Sequence, residues 1–186
     1  SILMGLGKRE WSDEIVIQLT GQPRYVLLDD YDADGDIDLA VLDKGDNHLW
    51  VFHNDGSANF TLEETNDTSN IPHSMESGDV DNDGDSDIVV THVGSAQQLL
   101  FLNDGTGHFP TVQVLIMASG PAEVQLADVN SDGKLDIVTA NVNHQVKGAS
   151  VLLQGSCDEG ADCNNNGVSD YCELPDCNVN GFPDEC

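Results

Sequence analysis

Positive charge is almost missing from this chain. Its 186 residues carry 6 Lys and Arg against 34 Asp and Glu, a formal net charge of −28. A surface this acidic cannot gain affinity by neutralising phosphates, so nucleic acid is excluded as a partner, and anionic membranes repel it. Long apolar runs are also missing, so no segment is long enough to insert in a bilayer as a helix. Aromatic residues make up 5%, and no Cys occurs before Cys157. A Gly-x-Ser-x-Gly elbow, a Walker loop and a His-Glu-x-x-His pair are all absent. No residue evidence for an enzyme emerges. Carboxylate pairs of glycosidase type stay open among so many acids, although the acids at loop spacing are better explained by metal. The first residue is Ser and no signal peptide is present, so either a leader has been removed or the chain is part of something longer.

One acidic stretch occurs three times. It runs Asp30-Tyr31-Asp32-Ala33-Asp34-Gly35-Asp36-Ile37-Asp38, then from Asp79 to Asp87, then from Asp128 to Asp136, with first residues 49 positions apart. Such a period marks an internal repeat. Each copy places a side-chain oxygen at positions 1, 3, 5 and 9 and Gly at 6, the spacing of an EF-hand-type calcium loop. Calcium takes six to eight oxygen ligands, and Gly permits the sharp bend. The expected ligands are Asp30, Asp32, Asp34 and Asp38; Asp79, Asp81, Asp83 and Asp87; and Asp128, Asn130, Asp132 and Asp136. Position 7 (Asp36, Asp85, Lys134) should offer only its backbone carbonyl, which is why Lys134 is tolerated there. Without cations these clusters repel themselves, so folding should be coupled to calcium.

Short apolar runs flank each loop and predict four strands per repeat, with no competing helical period. In the first repeat these are Tyr25 to Leu28, Ile37 to Leu42, His48 to His53 and Phe60 to Glu64. The second has Ile88 to Val93, Gln98 to Leu102 and Val112 to Met117. The third has Val124 to Ala127, Leu135 to Ala140 and Ser150 to Leu153, about two extra residues near 143–148, and no fourth strand. Asn54-Asp55-Gly56 and Asn103-Asp104-Gly105 predict tight turns with positive φ. Residues 1–20 read as the end of a preceding repeat. Trp11 shares a phase with Phe60 and Phe109, which we read as blade-packing residues rather than a sugar platform, and Glu14 to Leu19 predicts a strand. The fold class is therefore all-β, about three four-stranded propeller-type blades, open rather than closed. Closed propellers have about four to eight blades. Domains are expected at 1–155 (a partial blade over 1–20, repeats from about 21, 70 and 119) and 156–186. The six histidines are scattered and read as surface or strand-face residues. Asn59-Phe60-Thr61 and Asn66-Asp67-Thr68 match the glycosylation sequon.

The tail repeats the loop pattern at shorter range. Asp162, Asn164, Asn166 and Asp170 take positions 1, 3, 5 and 9, with Val168 at 7 and Glu173 at 12. Asp176, Asn178, Asn180 and Asp184 repeat the set, with Phe182 at 7. Five Cys lie in this segment. A small core-poor region with that density predicts disulfides in an oxidising compartment. The absence of a CxxC pair or a local His argues against zinc. The pairings Cys157–Cys163 and Cys172–Cys177, leaving Cys186 over for another chain, are a guess from proximity; the sequence does not fix connectivity. In all, about five calcium sites are expected.

The acidic nonamer, an apolar strand, and a strand ending in Asn-Asp-Gly-x-Gly-x-Phe (Asn103 to Phe109) resemble the FG-GAP/VCBS repeat family over roughly residues 1–155. That family includes the calcium-binding blades of integrin α-subunits and many bacterial surface proteins. The resemblance implies blades about an axis with calcium stiffening a loop of each. The tail is similar to thrombospondin type 3 repeats, where calcium and disulfides stand in for a core. Together these imply an extracellular or cell-surface, non-enzymatic structural or adhesive protein. Two partner classes follow. One is a homo-oligomer or polymer joined through sheet edges, with one subunit's residues 14–19 completing its neighbour's last blade. The other is a protein or glycan ligand bound by a module of a larger propeller.

Overall fold

A computed structural model describes residues 14–116, 120–142 and 147–154. Within them there are eleven strands and no helix. The strands β1 (Pro23–Asp29), β2 (Asp38–Asp43), β3 (His48–Asn54) and β4 (Phe60–Asp67) form a four-stranded antiparallel meander in chain order. So do β5 (Pro72–Gly78), β6 (Asp87–His92), β7 (Gln97–Leu102) and β8 (Thr111–Ile116). The third sheet holds β9 (Pro121–Ala127), β10 (Asp136–Val142) and β11 (Lys147–Leu152), with β10 central. These are the expected blades, two with four strands and one with three among the described residues.

The central strands explain their own sequences. Every residue of β2 and β6 is buried, because each strand is covered on both faces, which favours an unbroken apolar run over alternation. Alternate residues then serve different neighbours. Ala40, Leu42, Leu49 and Val51 of the first sheet pack on Met75, Ile88, Val90, Leu99 and Phe101 of the second. The second sheet's other face contributes Val89 and Leu100 to a core with Val124 and Ile137 of the third. Tyr31 and Phe109 close the first seam edge to face, ring centroids 5.9 Å apart, so Phe109 is the blade-packing residue its phase suggested. Burying side chains of this size contributes about 1.5–3 kcal/mol each.

The extra length of the third repeat falls between β10 and β11. Val89 pairs with Leu100, whereas its counterpart Val138 pairs with Val151, two residues farther on. The segment 14–19 departs from expectation. Ile15 makes a single bridge and no strand follows. Its ladder partners by repeat phase lie in residues 1–13, outside the described residues, as does Trp11. Ile17 and Leu19 nevertheless pack on the first sheet's outer face against Leu39, Val41, Trp50 and Phe52. Strand β4 runs to Asp67, past the expected Glu64, because β3 pairs with it along its whole length through a bulge at Val51/Phe52.

Candidate metal centre

Each acidic loop joins the first strand of its blade to the second, and all three share one backbone turn. The carboxylate at position 1 turns back over the loop and accepts the N–H of the glycine at position 6: Asp30 from Gly35 at 3.0 Å, Asp79 from Gly84 at 3.1 Å, Asp128 from Gly133 at 2.9 Å. Those glycines have φ of 93°, 104° and 88°, the left-handed region that an L side chain resists. Position 4 is left-handed too, at Ala33, Asn82 and Ser131. Nothing at Ala33 announces this, since Ala has no special tolerance for positive φ.

Position 9 does more than the spacing suggested. Asp38, Asp87 and Asp136 are fully buried. One oxygen of each accepts the N–H at position 2 (Tyr31, Val80, Val129; 3.0, 2.9 and 2.9 Å). The other accepts an N–H at or just past the end of the third strand (Asn54, Asn103, Gln154; 2.8, 2.9 and 2.9 Å). Each aspartate thus ties its loop to the neighbouring hairpin. Burial raises the carboxyl of Asp38 above its ordinary range and that of Asp87 to about 6, against the two N–H donors.

Carboxylates gather in the first two loops. Asp30, Asp32 and Asp34 bring one oxygen apiece within 4.8 Å of one another, as do Asp79, Asp81 and Asp87. Burial and then the charge of Asp83 raise Asp81. One oxygen each of Asp30 and Asp79 is buried with no hydrogen-bond donor. Such an atom carries a large desolvation cost unless a cation meets it. The donor set is all oxygen, and the loops fit a hard divalent ion. At position 7 the side chains of Asp36 and Asp85 lie instead against Gly56 and Gly105 of the following turn, where an added Cβ would collide with them.

The third loop differs. Both oxygens of Asp128 are taken, by Ser131 and Asp132 N–H on one side and Gly133 N–H on the other. These donors, Gly133 first, lower its carboxyl. Asn130 donates to Asp132 at 3.0 Å. The tail residues Asp162, Asn164, Asn166, Val168, Asp170, Glu173, Asp176, Asn178, Asn180, Phe182 and Asp184, and the Cys pairings, lie outside the described residues.

Two features escaped the sequence. Asn103, in the turn after β7, is a clamp between blades. Its amide donates to Tyr31 O of the preceding loop at 2.8 Å and to Ser86 O of its own at 3.2 Å, while its oxygen accepts from Gly105 and Gly107. His53, at the end of β3, puts Nδ1 3.2 Å from Asp32. A mismatch with the repeat could have flagged it, since Leu102 and Leu153 hold the matching sites.

No curated protein matches this chain. The family profile of the FG-GAP-like repeat matches residues 30–90 and again 79–139. The two matches overlap by one acidic loop and together span more than half the chain, each starting at position 1 of a loop. Loop, blade and period therefore agree: the chain belongs to the FG-GAP-like repeat family.

Proposed function

We propose that the chain is an extracellular, calcium-stabilised structural or adhesive module that associates head to tail through its blades. Calcium is the ion that suits the oxygen-only sets around Asp30 and Asp79, and it would offset the repulsion of their stacked carboxylates. Bound only by the folded chain, it stabilises by about 4 kcal/mol per site at a thousandfold excess over its dissociation constant.

The observation that carries association is a pair of bare faces. Met75 and Val124 are buried against the preceding blade, yet their counterpart Val26 is 59% exposed. Tyr31 and Val80 are buried against the following blade, yet their counterpart Val129 is 49% exposed. Val151, matching buried Val51 and Leu100, is 52% exposed. The two ends of the array thus offer opposite halves of one seam. A neighbour's third sheet would cover Val26 and Leu28, and residues 14–19 would lie beside its β11 as the fourth strand that this sheet lacks among the described residues. That contact is heterologous and extends without closing.

Light scattering in calcium tests this. Oligomers that grow with concentration, and that shrink in chelator with a fall in melting temperature, are expected. Val26→Glu and Val151→Glu each block one end, so a mixture of the two should stop at a dimer. A monomer at high concentration in calcium would overturn association. It would favour the second reading, in which the same faces take further blades of a longer ligand-binding propeller.

A further inference from the structure

We propose that the first loop holds a second, mixed metal site for a transition ion of the zinc class, built from Asp32, Asp38 and His53. The three residues bring one ligand atom each within 4.8 Å of one another. The His53 ring nitrogen Nδ1 faces an Asp32 oxygen at 3.2 Å. All three side chains are held. Asp38 is fully buried and fixed by two backbone donors. Asp32 and His53 are each 19% exposed. The ring of His53 is backed by Gly107 of the next blade, where any Cβ would collide with Nε2. Preorganisation of this kind lowers the cost of closing on an ion.

The chemistry differs from that of the oxygen-only sets. Calcium rarely takes nitrogen, whereas imidazole with carboxylates suits zinc, with a further position left for water or a fourth donor. The site is particular to the first blade. At the position of His53 the other repeats carry Leu102 and Leu153, and the second loop gathers carboxylates alone. Asp32 belongs both to this set and to the set with Asp30 and Asp34, and Asp38 is position 9 of the same calcium loop. An ion at one therefore draws on a ligand of the other, and zinc should change the calcium affinity of the first loop while leaving the second unaffected.

The test is zinc titration of the full chain in saturating calcium, followed by the imidazole ¹⁵N resonances and by calorimetry. His53→Leu restores the residue of the other repeats and should fold. The expected result is a metal-induced shift of the His53 Nδ1 resonance and at least a tenfold loss of the tightest zinc site in His53→Leu, with calcium binding kept. Equal zinc affinity in the variant, or an unshifted His53 resonance, overturns this site alone. Failure of the unaltered chain to bind calcium would count against the calcium reading instead.

Discussion

Arg24 and His73 occupy the same position in successive repeats, 49 residues apart, and touch. Arg24 Nε donates to the His73 carbonyl at 2.9 Å, and its Nη2 lies 2.6 Å from His73 Nε2. His73 in turn places Nδ1 2.8 Å from the carbonyl of Ala122, its own counterpart one repeat later. Ser74 to Glu123 and Gln125 to Glu76 repeat the rule. Innermost strands of adjacent blades therefore lie side by side in register.

Inner-strand contacts and the Asn103 clamp should differ in weight. Arg24 is exposed, and its loss is expected to cost under about 1 kcal/mol. Asn103 is buried and satisfies four partners. Asn103→Ala should cost about 3 kcal/mol in urea unfolding, since it strands buried backbone groups at two loops. Asn54→Ala, whose side chain bonds only within its own blade, should cost less.

Positions 3 and 9 of the second loop can be separated by chelation. Asp87→Asn should destabilise by about 2 kcal/mol even in chelator, because an amide nitrogen replaces an oxygen that accepts a backbone N–H. Asp81→Asn should be neutral or stabilising in chelator, where it relieves repulsion from Asp79 and Asp83. In calcium the order of loss changes, and Asp81→Asn loses part of the calcium-dependent gain in melting temperature.

Ile71 sits at φ 62°, where the next repeat has Gly120 at 81°. A β-branched residue there is strained by about 1–2 kcal/mol. Its side chain is half exposed, so little burial is lost on removal. Ile71→Gly should leave stability unchanged or raise it by up to about 1 kcal/mol. Gly120→Ile should lower it, as read from thermal melts.

His92 is fully buried, and burial holds its imidazole down to about 4 against a weaker pull from the Gln97 backbone. An unfolded imidazole titrates near about 6.5. Between those values the unfolded chain takes up a proton that the folded chain refuses. Stability contributed by neutral His92 is thus complete above about 6.5 and falls as pH drops towards 4, by at most about 3 kcal/mol. His92→Asn, the residue of the third repeat (Asn141), should flatten this part of the stability profile relative to the unaltered chain, measured in denaturant at fixed calcium.

Much of this was legible in the residues. The period placed ten of the eleven strands to within about three residues and left β5 unnamed, because short apolar runs such as Leu39–Leu42 and Ile88–Val90 sit beside fixed acidic loops. The bend at position 6 was legible as well, since its Gly takes positive φ in all three loops. The clamp by Asn103 and the approach of His53 to Asp32 were not. Both depend on which residue of the next blade lies overhead, and that follows from packing across a seam rather than from local pattern. The segment 14–19 differs for a related reason: apolar alternation signals burial, and the burial seen here is side-chain packing of Ile17 and Leu19 on Trp50 and Phe52, which a single bridge at Ile15 accompanies.

The side-by-side register has an evolutionary corollary. Gaining or dropping one whole 49-residue unit would leave every surviving seam matched, as links are added to a chain. A unit altered by one residue within an inner strand would throw each later link out of step. The two surplus residues lie between β10 and β11, and the pairing of those strands stays regular on either side of them.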